Sequence, residues 1–256
     1  LELIDTHCHL DLDDYDSDRE LVIARARQAG LVHLITIGID PDSSARAIAL
    51  AEKYDFISAT VGHHPHDAST LRDDDLVRLR DMGRHPRVVG FGEIGLDYFR
   101  NISPQEVQRQ RFDDLIQIGL ELKLPLIIHD REAHQDILDH LISAGASRNG
   151  GIIHCFSGDY DLARRFLDLG FYISIPGTVT FPKATVVHDV VARLPMDAIL
   201  LETDAPFLAP VPRRGRRNEP ALVRHTAAEV ARIKGLSLEE TARITTANAR
   251  AAFGIS

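Results

Sequence analysis

The chain is poor in cysteine, with two in 256 residues, Cys8 and Cys155. Two thiols cannot build the disulfide framework of a small secreted scaffold, and the cytoplasm is the expected compartment. No apolar run approaches the roughly 20 residues that cross a bilayer, so no membrane span is expected. No basic leader with an apolar stretch precedes the first apolar run, so no signal peptide is expected, and the sequence does not open on Met. Excess positive charge is also missing. Lys and Arg number 29 against 38 Asp and Glu, for a formal net charge of −9, which excludes nucleic-acid binding through a broadly basic surface. A polyanionic substrate then needs bound metal or a local cluster of cations. One such cluster exists, Arg213, Arg214, Arg216 and Arg217 in PRRGRRN. No repeat, low-complexity tract, linker or G-x-S-x-G nucleophile motif is present.

The composition that remains is that of an ordinary globular protein, 44% apolar and 26% charged, and residues 1–256 are expected to form one domain. Short runs rich in Ile, Val and Phe alternate with longer amphipathic stretches. The short runs are LIDTHCH, HLITIGI, FISATVGHH, VVGFGEIGL, PLIIHD, GIIHCF, FYISIP and AILLETD. Helical patterns lie between them. SDRELVIARARQAG sets Leu21, Ile23, Ala24 and Ala26 in a stripe before a glycine stop, SSARAIALAEKY starts on serine, a long amphipathic stretch follows Ser103-Pro104, and DREAHQDILDHLISAG, DYDLARRFLDLG and PALVRHTAAEVARIKG behave likewise. Continuous apolar strands alternating with helices indicate a parallel sheet. Eight such units in about 250 residues favour a closed (β/α)8 TIM barrel. The alternative, a doubly wound open sheet, lacks its glycine-rich phosphate turn after the first strand.

A barrel carries its chemistry at the C-terminal ends of the strands. Here the apolar runs end in His7 and His9, in Glu93, in His129-Asp130, in His154-Cys155 and in Glu202-Thr203-Asp204, and the third leads into GHHPHD. Side chains in a strand alternate, so His7 and His9 share a face, with Asp5 one step deeper and Cys8 turned away. Six candidate ligands (His7, His9, Glu93, His129, His154 and Asp204) exceed the roughly three protein ligands of one catalytic zinc. They suit two ions that share a carboxylate. Glu202 could replace Asp204 as the ligand. Asp97 and Asp130 are read as residues that orient ligands or cap loops, and His33 and His188 as buried, hydrogen-bonded imidazoles. The two cysteines are read as small apolar residues.

The motifs IDTHCHLD, GHHPHD, GEIGLDY, PLIIHDREA, HCFSG, LLETDAPFLAPVPRRGRRNEP and TTANARAAFGI resemble, in order and over essentially the whole chain, the TatD family of metal-dependent hydrolases. That family resembles the amidohydrolase-type barrels. The resemblance implies a metal-dependent deoxyribonuclease, typically a 3′→5′ exonuclease on single-stranded DNA. It also admits a deacylase of D-aminoacyl-tRNA. Carried over by motif, His7, His9, Glu93 and Asp204 hold one metal, and Glu93, His129 and His154 the second. His64 touches substrate, and Arg131, Arg214 and Arg217 meet phosphates. Glu93 stands where many amidohydrolases carry a carbamylated lysine. His63 replaces the usual aliphatic residue and raises the prospect of an extra ligand or an altered pocket. Gly119 and Pro176 also depart from the pattern.

The expected chemistry is attack of activated water on a phosphodiester, with Asp204 as general base and Glu93 as bridging ligand. Four imidazoles favour Zn, Mn or Co on ligand softness, while the resemblance suggests Mg²⁺ or Mn²⁺. The expected partners are the 3′ end of single-stranded DNA and, in the second reading, of tRNA, with no membrane and no stable protein partner. Tyr98, Phe99 and Phe207 are read chiefly as packing residues that could also stack a terminal base. A catalytically idle scaffold barrel is disfavoured by the complete ligand set.

Overall fold

A computed structural model describes residues 1–255. Eight parallel strands form one sheet in sequential order: β1 (Leu3–Cys8), β2 (Leu31–Ile37), β3 (Ile57–Val61), β4 (Val88–Asp97), β5 (Leu126–Arg131), β6 (Gly151–Ile153), β7 (Phe171–Ile175) and β8 (Ile199–Leu201). A parallel bridge from Cys8 to Ala205 links the end of β1 to the segment after β8. The sheet is thereby closed into the expected α/β barrel.

The helices are α1 (Arg19–Gln28), α2 (Pro41–Lys53), α3 (Asp73–Met82), α4 (Gln105–Leu122), α5 (His134–Ala144), α6 (Tyr160–Asp168), α7 (Thr185–Arg193), α8 (Val223–Lys234) and α9 (Leu238–Phe253). Local chemistry sets their ends. Asp40 accepts the N–H groups of Asp42 and Ser43 at 2.8 and 2.7 Å, so α2 starts on Pro41 and not on the serines. Ser237 caps α9 through the N–H of Glu240 at 3.0 Å. The buried face of α1 is Val22, Ile23 and Ala26, while Leu21 is 61% exposed. The expected stripe is thus rotated by one residue.

Two apolar volumes are packed. One lies between strands and helices and includes Leu3, Leu34, Ile57, Phe91 and Phe166. The other gathers Ile4, Ile35, Ile37, Ile127, Ile152 and Leu200, one or two from each of five strands, with Ala249 and Phe253 of α9. The ninth helix thus covers this second core; burying Phe253 contributes about 1.5–3 kcal/mol. Cys8 is buried in the first volume, as its apolar reading requires.

Two strand details position the site. Glu93 does not end its strand, because β4 runs on to Asp97 and pairs with β5 through Asp97 and Arg131. Gly95 permits this: its φ is +149°, and a Cβ there would lie 2.0 Å from the His129 carbonyl oxygen. In β1 the register shifts between Asp5 and Cys8, so alternation breaks there. Asp5 does not join the ligand face. It accepts from Thr203 N at 2.9 Å and Thr203 Oγ1 at 2.5 Å, fastening β1 to the segment after β8.

Candidate metal centre

Glu93 is buried at the centre of the strand ends and divides its carboxylate between two groups of side chains. Its Oε2 lies 3.3 Å from His7 Nε2 and 3.8 Å from His9 Nε2. Asp204 Oδ1 completes that group, 3.7 and 3.4 Å from the same two nitrogens. Glu93 Oε1 lies 2.8 Å from both His129 Nδ1 and His154 Nε2. The six expected ligands are therefore brought together. His7–His9–Asp204 and Glu93–His129–His154 each present donor atoms within 4.8 Å of one another. Donors bound to one ion at about 2.0–2.2 Å are about 3–3.5 Å apart, so these separations suit coordination.

The electrostatics point the same way. Burial works against ionisation of Glu93, but the surrounding imidazoles outweigh it and hold its carboxyl well below the ordinary range. Asp204 is held low against burial chiefly by His9. Burial disfavours a charged His9, yet Asp204 and Glu93 push it up to about 9. The carboxylates thus draw positive charge into a buried site. His7, by contrast, is held low by burial and by His154, and both its ring nitrogens are buried without a hydrogen-bond partner. A neutral imidazole with a free nitrogen is what a divalent ion requires. The residues present fit a metal.

The outer contacts fix the ring orientations. Asp97 Oδ2 lies 3.1 Å from His129 Nε2 and 2.8 Å from His66 Nε2. Against burial, these two imidazoles hold the Asp97 carboxyl far below its usual range. Gln108 clamps the same strand end, with its Oε1 accepting from Asp97 N at 2.8 Å. His9 Nδ1 lies 3.3 Å from the Ile37 carbonyl oxygen. Asp130 accepts from His134 Nδ1 at 2.8 Å and from Ala133 N at 3.4 Å, fastening the turn that leads into α5. His33 bonds Ser58 Oγ at 2.9 Å and His188 the Val179 carbonyl at 2.7 Å; both are hydrogen-bonded as expected, though each is half-buried and not buried.

The other expected residues divide. His64 reaches the centre, its Nε2 3.4 Å from Glu93 Oε1 and 3.3 Å from His129 Nδ1. Its Nδ1 accepts the His66 backbone N–H at 3.1 Å, so the neutral ring carries its proton on the Nε2 that faces the site. Burial lowers its pKa to about 4. His63 is buried with Nε2 2.8 Å from the Asp67 carbonyl oxygen and lines a separate cavity of about 420 Å³ with Asp40, Arg72 and Arg78. Arg131 lies 4.9 Å over the exposed Phe99 ring, and Arg214 4.5 Å over Phe181. Arg217 is employed otherwise than expected. It bonds the Asp14 carbonyl oxygen at 2.5 Å and Asp18 at 2.7 Å and covers the Tyr15 ring.

Phe99 and Phe207 are 57% and 51% exposed, so about half of each stays open to solvent where chiefly packing was expected. Phe207 stands edge-to-face to the His9 ring at 6.0 Å. Tyr98 is part-buried and donates to Asp136 at 2.6 Å. Sequence reading missed His66 as a partner of Asp97, and also Asn218. Asn218 Nδ2 donates to the Thr203 and Phe207 carbonyls at 2.8 and 2.6 Å, and its own carbonyl accepts from Tyr15 Oη at 2.6 Å. It anchors the arginine-rich loop to the site. An uncharged residue beside four arginines offered the only signal.

A parallel barrel with histidine and carboxylate clusters at its strand ends defines an amidohydrolase-like metal-dependent hydrolase. Comparison with known proteins gives the family. The family model "TatD related DNase" matches residues 4–254. The chain is 42% identical to the uncharacterized metal-dependent hydrolase YabD of Bacillus subtilis, over 99% of this chain and all of that one. It is 36% identical to the 3′-5′ ssDNA/RNA exonuclease TatD of Cronobacter sakazakii, over 98% and 97% of the two chains. The crystal structure of YjjV, a TatD homolog from Escherichia coli, superposes with a TM-score of 0.94 at 34% identity, covering 99% and 98%. The chain belongs to the TatD family of metal-dependent hydrolases.

Among the described residues no helix is long and apolar enough to cross a membrane.

Proposed function

We propose that this chain is a metal-dependent deoxyribonuclease that removes nucleotides from the 3′ end of single-stranded DNA, working as one catalytic domain around two divalent ions. The observation that carries the reading is the division of Glu93, with Oε2 toward His7, His9 and Asp204 and Oε1 toward His129 and His154. Each oxygen would serve one ion with the side chains on its side. The description of the family model and the similarity to a 3′-5′ ssDNA/RNA exonuclease support the substrate class.

Bound Mg²⁺, Mn²⁺ or Zn²⁺ would polarise the phosphoryl oxygens and make water acidic enough to attack near neutral pH. The chain's own groups do the rest. Asp204, kept ionised by His9, accepts the proton of the attacking water. His64 presents Nε2–H to a phosphoryl oxygen. Arg131 and Arg214, both exposed and each laid on an aromatic ring, meet backbone phosphates. The phosphorus–O3′ bond breaks and O3′ takes a proton, leaving a 5′-mononucleotide and a strand shorter by one.

The test uses metal-stripped protein and a 5′-labelled single-stranded DNA, with Mg²⁺, Mn²⁺ or Zn²⁺ restored in turn and Glu93→Ala as control for contaminating nuclease. A ladder shortening from the 3′ end, absent in the variant, is expected. Intact DNA with every ion contradicts the nuclease reading and moves the same site to ester hydrolysis, assayed on D-aminoacyl-tRNA.

A further inference from the structure

His7 and His154 stand on opposite sides of the Glu93 carboxylate, yet their rings lie face to face, with centroids 3.8 Å apart and planes 10° from parallel. Both turn Nε2 toward Glu93, at 3.3 and 2.8 Å. Their Nδ1 atoms are buried without a hydrogen-bond partner, and so is Oε2 of Glu202. Glu202 is fully buried. Its Oε1 accepts the Cys155 backbone N–H at 2.6 Å and lies 3.6 Å from His154 Nδ1. His7, His154 and Glu202 each present a nitrogen or oxygen within 4.8 Å of the other two. Beyond 3.5 Å such polar groups meet through one water molecule.

We propose that Glu202 is a positioning residue shared by both metal positions, orienting His7 and His154 so that Nδ1–H faces the carboxylate and Nε2 faces Glu93. The proposal rests on the two-ion reading above. A neutral imidazole carries one N–H, and an ionised carboxylate only accepts. A carboxylate on the Nδ1 side therefore selects the tautomer whose Nε2 lone pair is free to ligate. The other two imidazoles have separate partners, Asp97 for His129 and the Ile37 carbonyl for His9. Glu202 alone backs one imidazole from each position. Its place on the Nδ1 side also decides between the two carboxylates of ETD, because Asp204 faces the Nε2 atoms of His7 and His9.

The arrangement makes a differential demand. Losing a hydrogen-bond partner of a ligating histidine typically lowers metal affinity about 10–100-fold. Metal-stripped wild type, Glu202→Gln, Glu202→Asp and Asp97→Asn are titrated with Mn²⁺ and Zn²⁺ by calorimetry, with thermal unfolding of the metal-free proteins as folding control. Wild type is expected to bind two ions. Glu202→Gln should weaken both by about 10–100-fold, Asp97→Asn only one, and Glu202→Asp should restore part of the loss. In Zn²⁺-loaded wild type, NMR should show exchange-protected Nδ1–H signals from both His7 and His154, a readout that needs no substitution. Fewer than two ions in wild type overturns the two-ion reading together with the shared role. Two ions in wild type, with Glu202→Gln weakening one or neither, overturns the shared role alone. So does a freely exchanging Nδ1–H on either ring, or a third ion lost in Glu202→Gln.

Discussion

Asp97 Oδ2 lies 3.1 Å from Nε2 of His129, on the opposite edge of the ring from the Nδ1 that faces Glu93. The same oxygen holds His66 at 2.8 Å. Asp97→Asn should therefore lower catalytic efficiency about 10–100-fold while the chain stays folded, and added metal should recover part of the loss. His66→Ala leaves the Asp97–His129 contact in place and should cost only a few-fold. Steady-state rates at two metal concentrations check both.

Arg214 and Arg217 stand three residues apart in one loop but are held differently. Arg217 is tied to Asp14, Asp18 and Tyr15, whereas Arg214 lies on Phe181. Arg217→Ala should lower stability by about 1 kcal/mol. Arg214→Ala should leave the melting temperature unchanged, raise KM for DNA and flatten the dependence of KM on salt. Melting curves and KM at two salt concentrations separate the two roles.

Phe207 is half-exposed beside His9 at the centre of the site. Stacking of one base on an aromatic ring is worth about 1–3 kcal/mol, or roughly 5–150-fold in affinity. Phe207→Ala should raise KM for single-stranded DNA within that range and leave hydrolysis of a small phosphodiester without a base unaffected. Equal losses on both substrates would assign Phe207 to site packing.

His33 gives a pH dependence away from the metal centre. Burial, then Arg250 and Arg87, lower its pKa from 6.5 to about 4 in the folded chain. The unfolded chain therefore binds the extra proton between those values, and stability falls as pH drops from 6.5 toward 4. Above pH 6.5 this residue contributes no slope. His33→Gln should reduce the drop in melting temperature between pH 7 and pH 4.5 relative to wild type. Identical drops in the two proteins would contradict the assignment.

The residues gathered around Glu93 were legible in the sequence because each follows an apolar run, and β1, β5, β6 and β8 lead into theirs. Strand β4 misled. The run is expected to end at Glu93, but with Gly95 at positive φ the strand continues to Asp97, close against β5. Helices α3, α7 and α9 drew no notice in the sequence. The three-aspartate start of α3 and the threonine-rich α9 hide their periodicity, and α7 is a short valine-rich run. The hydrogen-bond partners around the site were the least legible. His66 meets Asp97 across 31 positions of sequence and Cys155 meets Glu202 across 47. Local pattern carries no information about such pairs. The registers of β3 against β4, and of β7 against β6 and β8, bring them together.

The most direct test of the account is to locate the ions. A crystal of the metal-stripped protein soaked in Mn²⁺ should give two anomalous peaks about 3.5–4 Å apart, one on each side of Glu93. The first should lie among His7, His9 and Asp204, and the second between His129 and His154. A single peak, or two peaks that do not share Glu93, would contradict it.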